Sequence, residues 1–145
     1  MRYEELETTK EDARNLADLR VESMRESLTA IGRFDPERAR ERFLSSFEPK
    51  NTSKIVVGGK LAGFIVTEIQ KDHIFLSHLY LHPEYQGSGI GGELLGKIKQ
   101  QGQARQLPIR LGALRESRSN QFYERHDFRK IHEDEWDIYY EFVPS

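Results

Sequence analysis

The stretch "LHPEYQGSGIGGELL", Leu81–Leu95, decides the fold because it begins like a β-strand, passes through a glycine-rich turn and ends like a helix. It contains four glycines, more than a change of chain direction requires. Backbone N–H groups at the start of a helix lack intrahelical partners and lie at the positive end of the helix dipole. Because glycines let an anion approach those groups closely, the stretch predicts a phosphate-binding turn.

Outward from this turn, hydrophobic periodicity predicts the element order β-α-α-β-β-β-α-β-α-β-β. Gly58-Gly59 separates two β-rich runs and predicts a hairpin. The nearly continuous apolar run His73–Leu81 predicts a central strand that is covered on both faces. We therefore expect one α/β domain over residues 1–145, with a mostly antiparallel sheet of about seven strands and helices on both faces.

Two helix starts carry recognisable capping signals. Thr8 with Glu11 three residues later fits a capping box before the first helix. Asp35 followed by Pro36 predicts the N-cap and first turn of the second helix.

Composition limits the function classes. Lys plus Arg is 22 and Asp plus Glu is 24, a net charge of −2, which argues against non-specific nucleic-acid binding. The absence of cysteine excludes disulfides, thiolate metal sites and a cysteine nucleophile, and it fits a reducing cytoplasm. We predict no membrane partner, since no apolar run approaches ~20 residues and no signal-peptide pattern is present. The histidines show no metal-binding spacing. For the oligomeric state, we expect a monomer or a homodimer.

The glycine pattern alone leaves several ligands open. The turn is not a Walker A loop, because no Gly-Lys-Ser/Thr closes it. Gly87, Gly89 and Gly92 match the dinucleotide pattern G-x-G-x-x-G, but that motif belongs to the first βαβ unit of a parallel sheet. A dinucleotide site is therefore kept as the less favoured alternative, and a solvent-facing hinge is the other.

Two motifs narrow the choice. Gln86–Gly91 matches the signature Gln/Arg-x-x-Gly-x-Gly/Ala, and Asn120–Phe128 is similar to a later motif that usually ends Phe-Tyr-Glu-x-x-Gly-Phe. Together they resemble the GNAT superfamily of N-acetyltransferases, and the resemblance extends over nearly the whole chain because the predicted element order is also that of the family.

The resemblance implies acetyl-coenzyme A as cosubstrate. The family's signature turn binds the pyrophosphate through backbone amides, and the strand before it splays away from the next one, here Pro108–Leu114, so that the pantetheine arm bonds to the earlier strand. By position, Leu79 and Leu81 supply those backbone groups. The matching turn residues are Gln86, Gly87, Ser88, Gly89, Ile90, Gly91 and Gly92.

The sequence departs from the family pattern twice. Asp127 stands where glycine usually precedes the final Phe, and Asp tolerates positive φ better than most residues. Glu116 stands where an asparagine often contacts the cofactor. Asn120 is a candidate substitute for that contact, and a capping role for Asn120 is the alternative.

The reaction that the resemblance implies is acetyl transfer to a primary amine. With no cysteine to carry the acetyl group, direct transfer in a ternary complex is expected. Tyr123 matches the family tyrosine that points at the coenzyme sulfur, and we predict it to be the general acid. A core tyrosine is the alternative. The general base stays open among His78, His73, Glu68 and an ordered water chain, with His78 favoured as a packed histidine.

The acceptor is the least specified part. In the family, the region between the first two helices lines the acceptor pocket, which here makes Arg33 and Phe34 candidate substrate-binding residues. A small-molecule amine or a peptide amine is the expected partner. A domain that binds acetyl-coenzyme A as a sensor or interaction module, without catalysis, is the non-enzymatic alternative.

Overall fold

The computed structural model describes residues 2–145 and contains the predicted elements in the predicted order. The strands are β1 (Glu4–Glu7), β2 (Thr52–Val57), β3 (Lys60–Ile69), β4 (Ile74–Leu81), β5 (Ile109–Leu114), β6 (Arg129–Glu133) and β7 (Asp137–Phe142). The helices are α1 (Ala13–Ala30), α2 (Pro36–Ser46), α3 (Ile90–Arg105) and α4 (Ser119–Arg125).

The strands form one mixed sheet of seven in the order β1-β2-β3-β4-β5-β7-β6. The pairs β1–β2, β2–β3, β5–β7 and β6–β7 are antiparallel, whereas β4 and β5 run parallel. The parallel register comprises Ile74–Ile109 and Phe75–Arg110, at the beginning of both strands. The prediction of a mostly antiparallel, seven-stranded α/β fold is confirmed.

The chain divides into two compact units, and the first comprises the residues up to Val66 together with His78–Gly91. Its core lies where α1 and α2 cover β3. Buried apolar side chains from these three elements pack there as one cluster: Leu16, Ala17, Leu19, Phe43, Phe64 and Val66. The β2–β3 hairpin turns at Gly58 and Gly59, whose φ angles of 56° and 81° confirm the predicted two-glycine turn.

One of the two predicted helix starts is correct. The Asp35 carboxylate accepts a hydrogen bond from the Arg38 N–H at 3.2 Å, so Asp35 caps α2 as expected. The capping box before α1 was placed one residue too early, because Thr9, not Thr8, occupies the cap and its N–H donates to Asp12 at 2.9 Å. The Thr8 hydroxyl is instead buried against the carbonyls of Pro49 and Thr52.

The second unit comprises Thr67–Ser77 and Gly92–Ser145. Apolar side chains of α3, β5, α4 and β7 are buried in it, and they include Leu94, Leu95, Ile98, Ile109, Leu111, Tyr123, Phe128 and Tyr140. The helix α4 ends in a Schellman motif, in which the Phe128 N–H bonds to the Tyr123 carbonyl and the Asp127 N–H bonds to the Glu124 carbonyl. Asp127 takes the left-handed position with φ 70°, so the turn forms without the family's glycine.

Candidate acetyl-group donor site

The glycine turn has a backbone shape that suits an anion. Gly87 and Gly89 have φ angles of 79° and 90°, whereas Gln86 has φ −70°. The ψ angle of Gln86 is 144°, so Gln86 is extended, and the two positive φ angles after it bend the backbone sharply just before α3. The turn leads directly into α3, whose first N–H groups have no intrahelical acceptor. Free N–H groups at the start of a helix suit an anion, and the pyrophosphate that the family resemblance implies stays a prediction.

Packing within the protein does not require glycine in this turn, whereas the backbone angles do. A Cβ atom added to Gly87 or Gly89 would meet no protein atom within 4 Å. Side chains of the neighbouring residues hold the turn in place. The Gln86 amide donates to the Leu81 carbonyl at 3.0 Å, and the Ser88 hydroxyl donates to the Tyr85 carbonyl at 2.6 Å.

In a regular strand, successive residues bond alternately to the strand on one side and to the strand on the other. Along β4, the strand before the turn, this alternation between β3 and β5 shifts by one residue. At its start, the His73 carbonyl accepts from Gln70 at the hairpin end of β3, and the Ile74 N–H donates to Pro108 beside β5. At its end, the His82 N–H donates to the Ala62 carbonyl of β3. Regular alternation would direct His82 away from β3, so β4 contains a one-residue irregularity of the bulge type.

This shift determines which backbone groups of β4 point away from β3. Since His82 bonds to β3, the preceding residue Leu81 directs its N–H and carbonyl to the opposite edge. The Leu81 carbonyl accepts from the Ser23 hydroxyl and from Gln86. Its N–H therefore points away from β3, whereas a regular β4 would have pointed it at β3, and its bond to pantetheine stays a prediction.

Gly92 differs from the other glycines of the motif. It lies in the first turn of α3, and an added Cβ would come within 3.2 Å of the His126 ring. The His126 ring in turn lies 4.8 Å from the Phe122 ring of α4, tilted by 56°. Close packing of His126 at the end of α4 against α3 therefore accounts for glycine at this position.

Tyr123 lies in α4 and is 7% exposed. Its ring packs among three other aromatic rings, with centroid distances of 5.3 Å to Phe122, 5.8 Å to Phe128 and 6.3 Å to Tyr140. These contacts fix the ring and leave its assignment as the general acid a prediction.

Asn120 makes more protein contacts than its sequence position suggested. Its amide nitrogen donates to the carbonyls of Leu114 at 2.7 Å and Ser117 at 2.9 Å, and its amide oxygen accepts from the Tyr140 hydroxyl at 2.9 Å. Both ends of the amide are thus engaged at a position that is 8% exposed. A cofactor contact would have to compete with these bonds, so it stays a prediction. The capping alternative is not what the structure shows either, because the amide nitrogen donates to carbonyls and the amide oxygen accepts from Tyr140.

His78 is packed and uncharged. Its ring lies 5.9 Å from Phe43, 6.2 Å from Phe64 and 5.4 Å from Tyr80. Burial, together with the nearby Arg20 guanidinium, lowers the pKa of His78 to about 4. A group with so low a pKa is a weak acceptor for an ammonium proton at neutral pH, which argues against His78 as the base. The other histidine candidate, His73, contacts the Asp72 carboxylate at 2.7 Å and lowers its pKa.

The two predicted acceptor-site residues follow α1. Arg33 is exposed, and its N–H closes the end of α1 by bonding to the Leu28 carbonyl at 2.8 Å. Phe34 is partly buried, and the Arg25 guanidinium lies 4.8 Å from its ring centroid. Arg25 also bonds to Glu22 and lowers the pKa of that carboxyl. The cation–π contact therefore ties Phe34 to α1.

Residues 2–145 contain neither a metal-binding cluster nor a membrane-spanning helix. No group of three or more His, Asp or Glu side chains there is arranged to hold a metal ion. Within the same residues, no helix combines the length and apolar character of a membrane span.

The comparisons with known proteins agree with the motifs. The family model described as acetyltransferase (GNAT) domain matches residues 13–144. This chain belongs to the GNAT acetyltransferase family. Comparison with curated proteins gave no significant sequence match.

Solved structures of other acetyltransferases share the GNAT fold. PaiA N-acetyltransferase from Thermoplasma acidophilum, in complex with coenzyme A, has a TM-score of 0.81 at 21% identity, with 99% of both chains covered. The ribosomal-protein-S18-alanine N-acetyltransferase from Escherichia coli has a TM-score of 0.74 at 16% identity, covering 99% of this chain and 95% of its own. The protein described as histone acetyltransferase HPA2 and related acetyltransferase from Corynebacterium glutamicum has 0.72 at 19%, covering 100% and 98%.

Membership of the GNAT family removes the basis of the dinucleotide alternative. The turn follows the fourth strand of a mostly antiparallel sheet, whereas a dinucleotide fingerprint follows the first strand of a parallel one. An acyl-coenzyme A is accordingly the ligand class to which this GNAT turn points.

Proposed function

We propose that residues 1–145 act as a single N-acetyltransferase domain, which transfers the acetyl group of acetyl-coenzyme A directly to the amine of a small molecule or a peptide. The observation that carries the proposal is the turn Gln86–Gly89, whose alternating φ signs lead into α3 in a GNAT domain. We expect the cytoplasm to be its location, because the chain has no cysteine.

Backbone groups do most of the binding in this proposal. Amides of residues 86–92 hold the pyrophosphate, and the β4 backbone at Leu79 and Leu81 holds the pantetheine arm. The bound cosubstrate supplies an activated acetyl thioester. A β4 N–H is suited to stabilise the oxyanion that forms when the neutral amine attacks, since a fixed backbone donor needs no reorganisation during the reaction.

Tyr123 is the proposed general acid. A phenol with an ordinary pKa of ~10 can donate a proton to a departing thiolate and regain it from water. The proposal assigns no protein base, because the buried His78 has a pKa of about 4. The amine then either enters unprotonated or loses its proton through water.

The test is a screen of amines, amino acids, polyamines, aminoglycosides and peptide N-termini for acetyl-coenzyme A-dependent release of coenzyme A. We expect one acceptor class to give turnover together with an acetylated product detected by mass spectrometry. Binding of acetyl-coenzyme A without turnover on any class, and without hydrolysis, would favour the sensor alternative instead.

A further inference from the structure

A buried polar network joins three elements of the second unit. The Tyr140 hydroxyl on β7 lies 2.9 Å from the Asn120 amide oxygen and 3.1 Å from a Glu124 carboxylate oxygen, both on α4. The Asn120 amide nitrogen then reaches the Leu114 carbonyl at the end of β5, at 2.7 Å. Tyr140 is 1% exposed and Asn120 is 8% exposed, so the bond between them forms out of water, whereas Glu124 is exposed and its bond to Tyr140 is only partly buried.

The helix that this network holds, α4, has 7 residues and is too short to be stable in isolation. Its N-cap, Arg118, makes no side-chain capping bond. The Asn120 amide nitrogen instead donates to the Ser117 carbonyl at 2.9 Å and to the Leu114 carbonyl, which ties the start of α4 to the end of β5. The position of α4 on β5 and β7 therefore depends on side chains outside the usual capping pattern.

Tyr140 contacts α4 on both sides of Tyr123 along the chain. Asn120 and Glu124 are four residues apart and share one face of the helix, with Tyr123 directly before Glu124. The hydroxyl has one proton to donate and lies within bonding distance of both acceptors, so either bond, or one bifurcated bond, restrains the rotation of α4 about its axis. That rotation sets the direction of the Tyr123 side chain. Burial and the Glu124 carboxylate raise the pKa of Tyr140 to about 12, so the hydroxyl remains a donor across the ordinary assay range.

We propose that Tyr140 is a positioning residue, whose hydroxyl holds α4 so that Tyr123 presents its phenol in the orientation needed for acetyl transfer. This inference rests on the proposed function, in which Tyr123 is the general acid. Nothing in the family motif identifies the pair, because Tyr140 lies seventeen residues beyond Tyr123 on another element.

Tyr140→Phe is the test variant, since it removes the hydroxyl and keeps the ring. With the amine acceptor from the screen, we expect kcat to fall roughly tenfold or more, because small misplacements of a reacting group are costly, while KM for acetyl-coenzyme A changes little. Tyr139→Phe is the matched control. The Tyr139 hydroxyl also donates to a carboxylate, that of Asp134 at 2.8 Å, but this bond is exposed and does not involve α4. Tyr139→Phe should therefore leave kcat unchanged.

A double variant separates positioning from general destabilisation. If Tyr140 acts through Tyr123, Tyr140→Phe should cause almost no further loss of kcat in a Tyr123→Phe background. Multiplicative losses, measured well below the unfolding temperature of each variant, would overturn the inference. Should Tyr140→Phe not fold, Glu124→Leu and Glu124→Gln replace it, since Gln can still accept the hydroxyl hydrogen and Leu cannot. Equal kcat for these two would overturn the inference as well.

Failure of the proposed function has a different signature. If Tyr123→Phe alone leaves kcat unchanged, Tyr123 is not the general acid, and the positioning role falls with it.

Amide hydrogen exchange of α4 tests, independently of activity, whether the Tyr140 hydroxyl holds the helix in place. Tyr140→Phe should increase exchange in Ser119–Arg125 selectively, and unchanged exchange there would contradict the network's role even in an active enzyme.

Discussion

Replacing His78 with phenylalanine should remove part of the acid sensitivity of this protein. The substitution keeps a planar ring among Phe43, Phe64 and Tyr80 and removes the titrating nitrogen. In the folded chain, burial and then the Arg20 charge lower the pKa of His78 from 6.5 to about 4. Below pH 6.5 the unfolded chain takes up a proton at this histidine, whereas the folded chain resists it until about pH 4.

The sign and the size of the effect follow from that difference. The stabilising contribution is fully present above pH 6.5 and is lost as the pH falls toward 4. A lowering from 6.5 to about 4 corresponds to a limit of about 3 kcal/mol, at ~1.4 kcal/mol per pKa unit. Between pH 7 and pH 4.5, the parent should therefore lose about 2 kcal/mol more unfolding free energy than His78→Phe.

Urea unfolding at a series of pH values measures this difference directly. Carboxylates such as Asp12 and Asp134 also have lowered pKa values, but they titrate alike in both proteins and cancel in the comparison. Parallel stability curves for parent and variant over this range would refute the reasoning. An NMR titration that placed the His78 pKa near 6.5 would refute it as well.

The remaining predictions concern glycines, the αL position and the general acid. Gly89→Val should weaken acetyl-coenzyme A binding more than tenfold, because a branched residue resists the φ of 90° and adds bulk at the turn; calorimetry on the folded variant measures it, and unchanged affinity would exclude the turn as a phosphate cradle. Gly63→Ala should cost about 3 kcal/mol or more, since its Cβ would lie 2.3 Å from the Tyr80 carbonyl oxygen; a loss under about 1 kcal/mol in urea unfolding would contradict that close approach. Asp127→Gly should change stability by no more than about 1 kcal/mol, because glycine suits φ 70° while the surface ion pair with Lys99 is weak, and a large loss would mean that the carboxylate matters. Tyr123→Phe should lower kcat about 10²–10⁴-fold with little change in KM for acetyl-coenzyme A, whereas a loss confined to KM would make Tyr123 a binding residue.

Local signals predicted most of the fold. The hairpin at Gly58-Gly59, the cap at Asp35 and the left-handed Asp127 each depend on the conformational preference of one or two residues, and all three occur as expected. The capping box failed by one residue for a non-local reason. Thr8 and Thr9 are equally good caps by type, but Thr8 is occupied by Pro49 and Thr52, more than forty residues away.

Less of the candidate site could be predicted from the sequence. Motif positions located the turn and Tyr123, but the one-residue shift in β4 follows from how its two ends pair with β3 and β5, which residue type does not encode. The engagement of Asn120 by Tyr140 was likewise hidden, because β7 comes next to α4 only through the order of the sheet. Local propensity identifies such residues by type and does not show their distant partners.

Calorimetric titration of the parent protein, with acetyl-coenzyme A and separately with NAD, tests the central claim most directly. The account predicts saturable one-site binding of acetyl-coenzyme A, strongly weakened by Gly89→Val, and no binding of NAD at the same concentrations. Binding of NAD without binding of any coenzyme A thioester would contradict it.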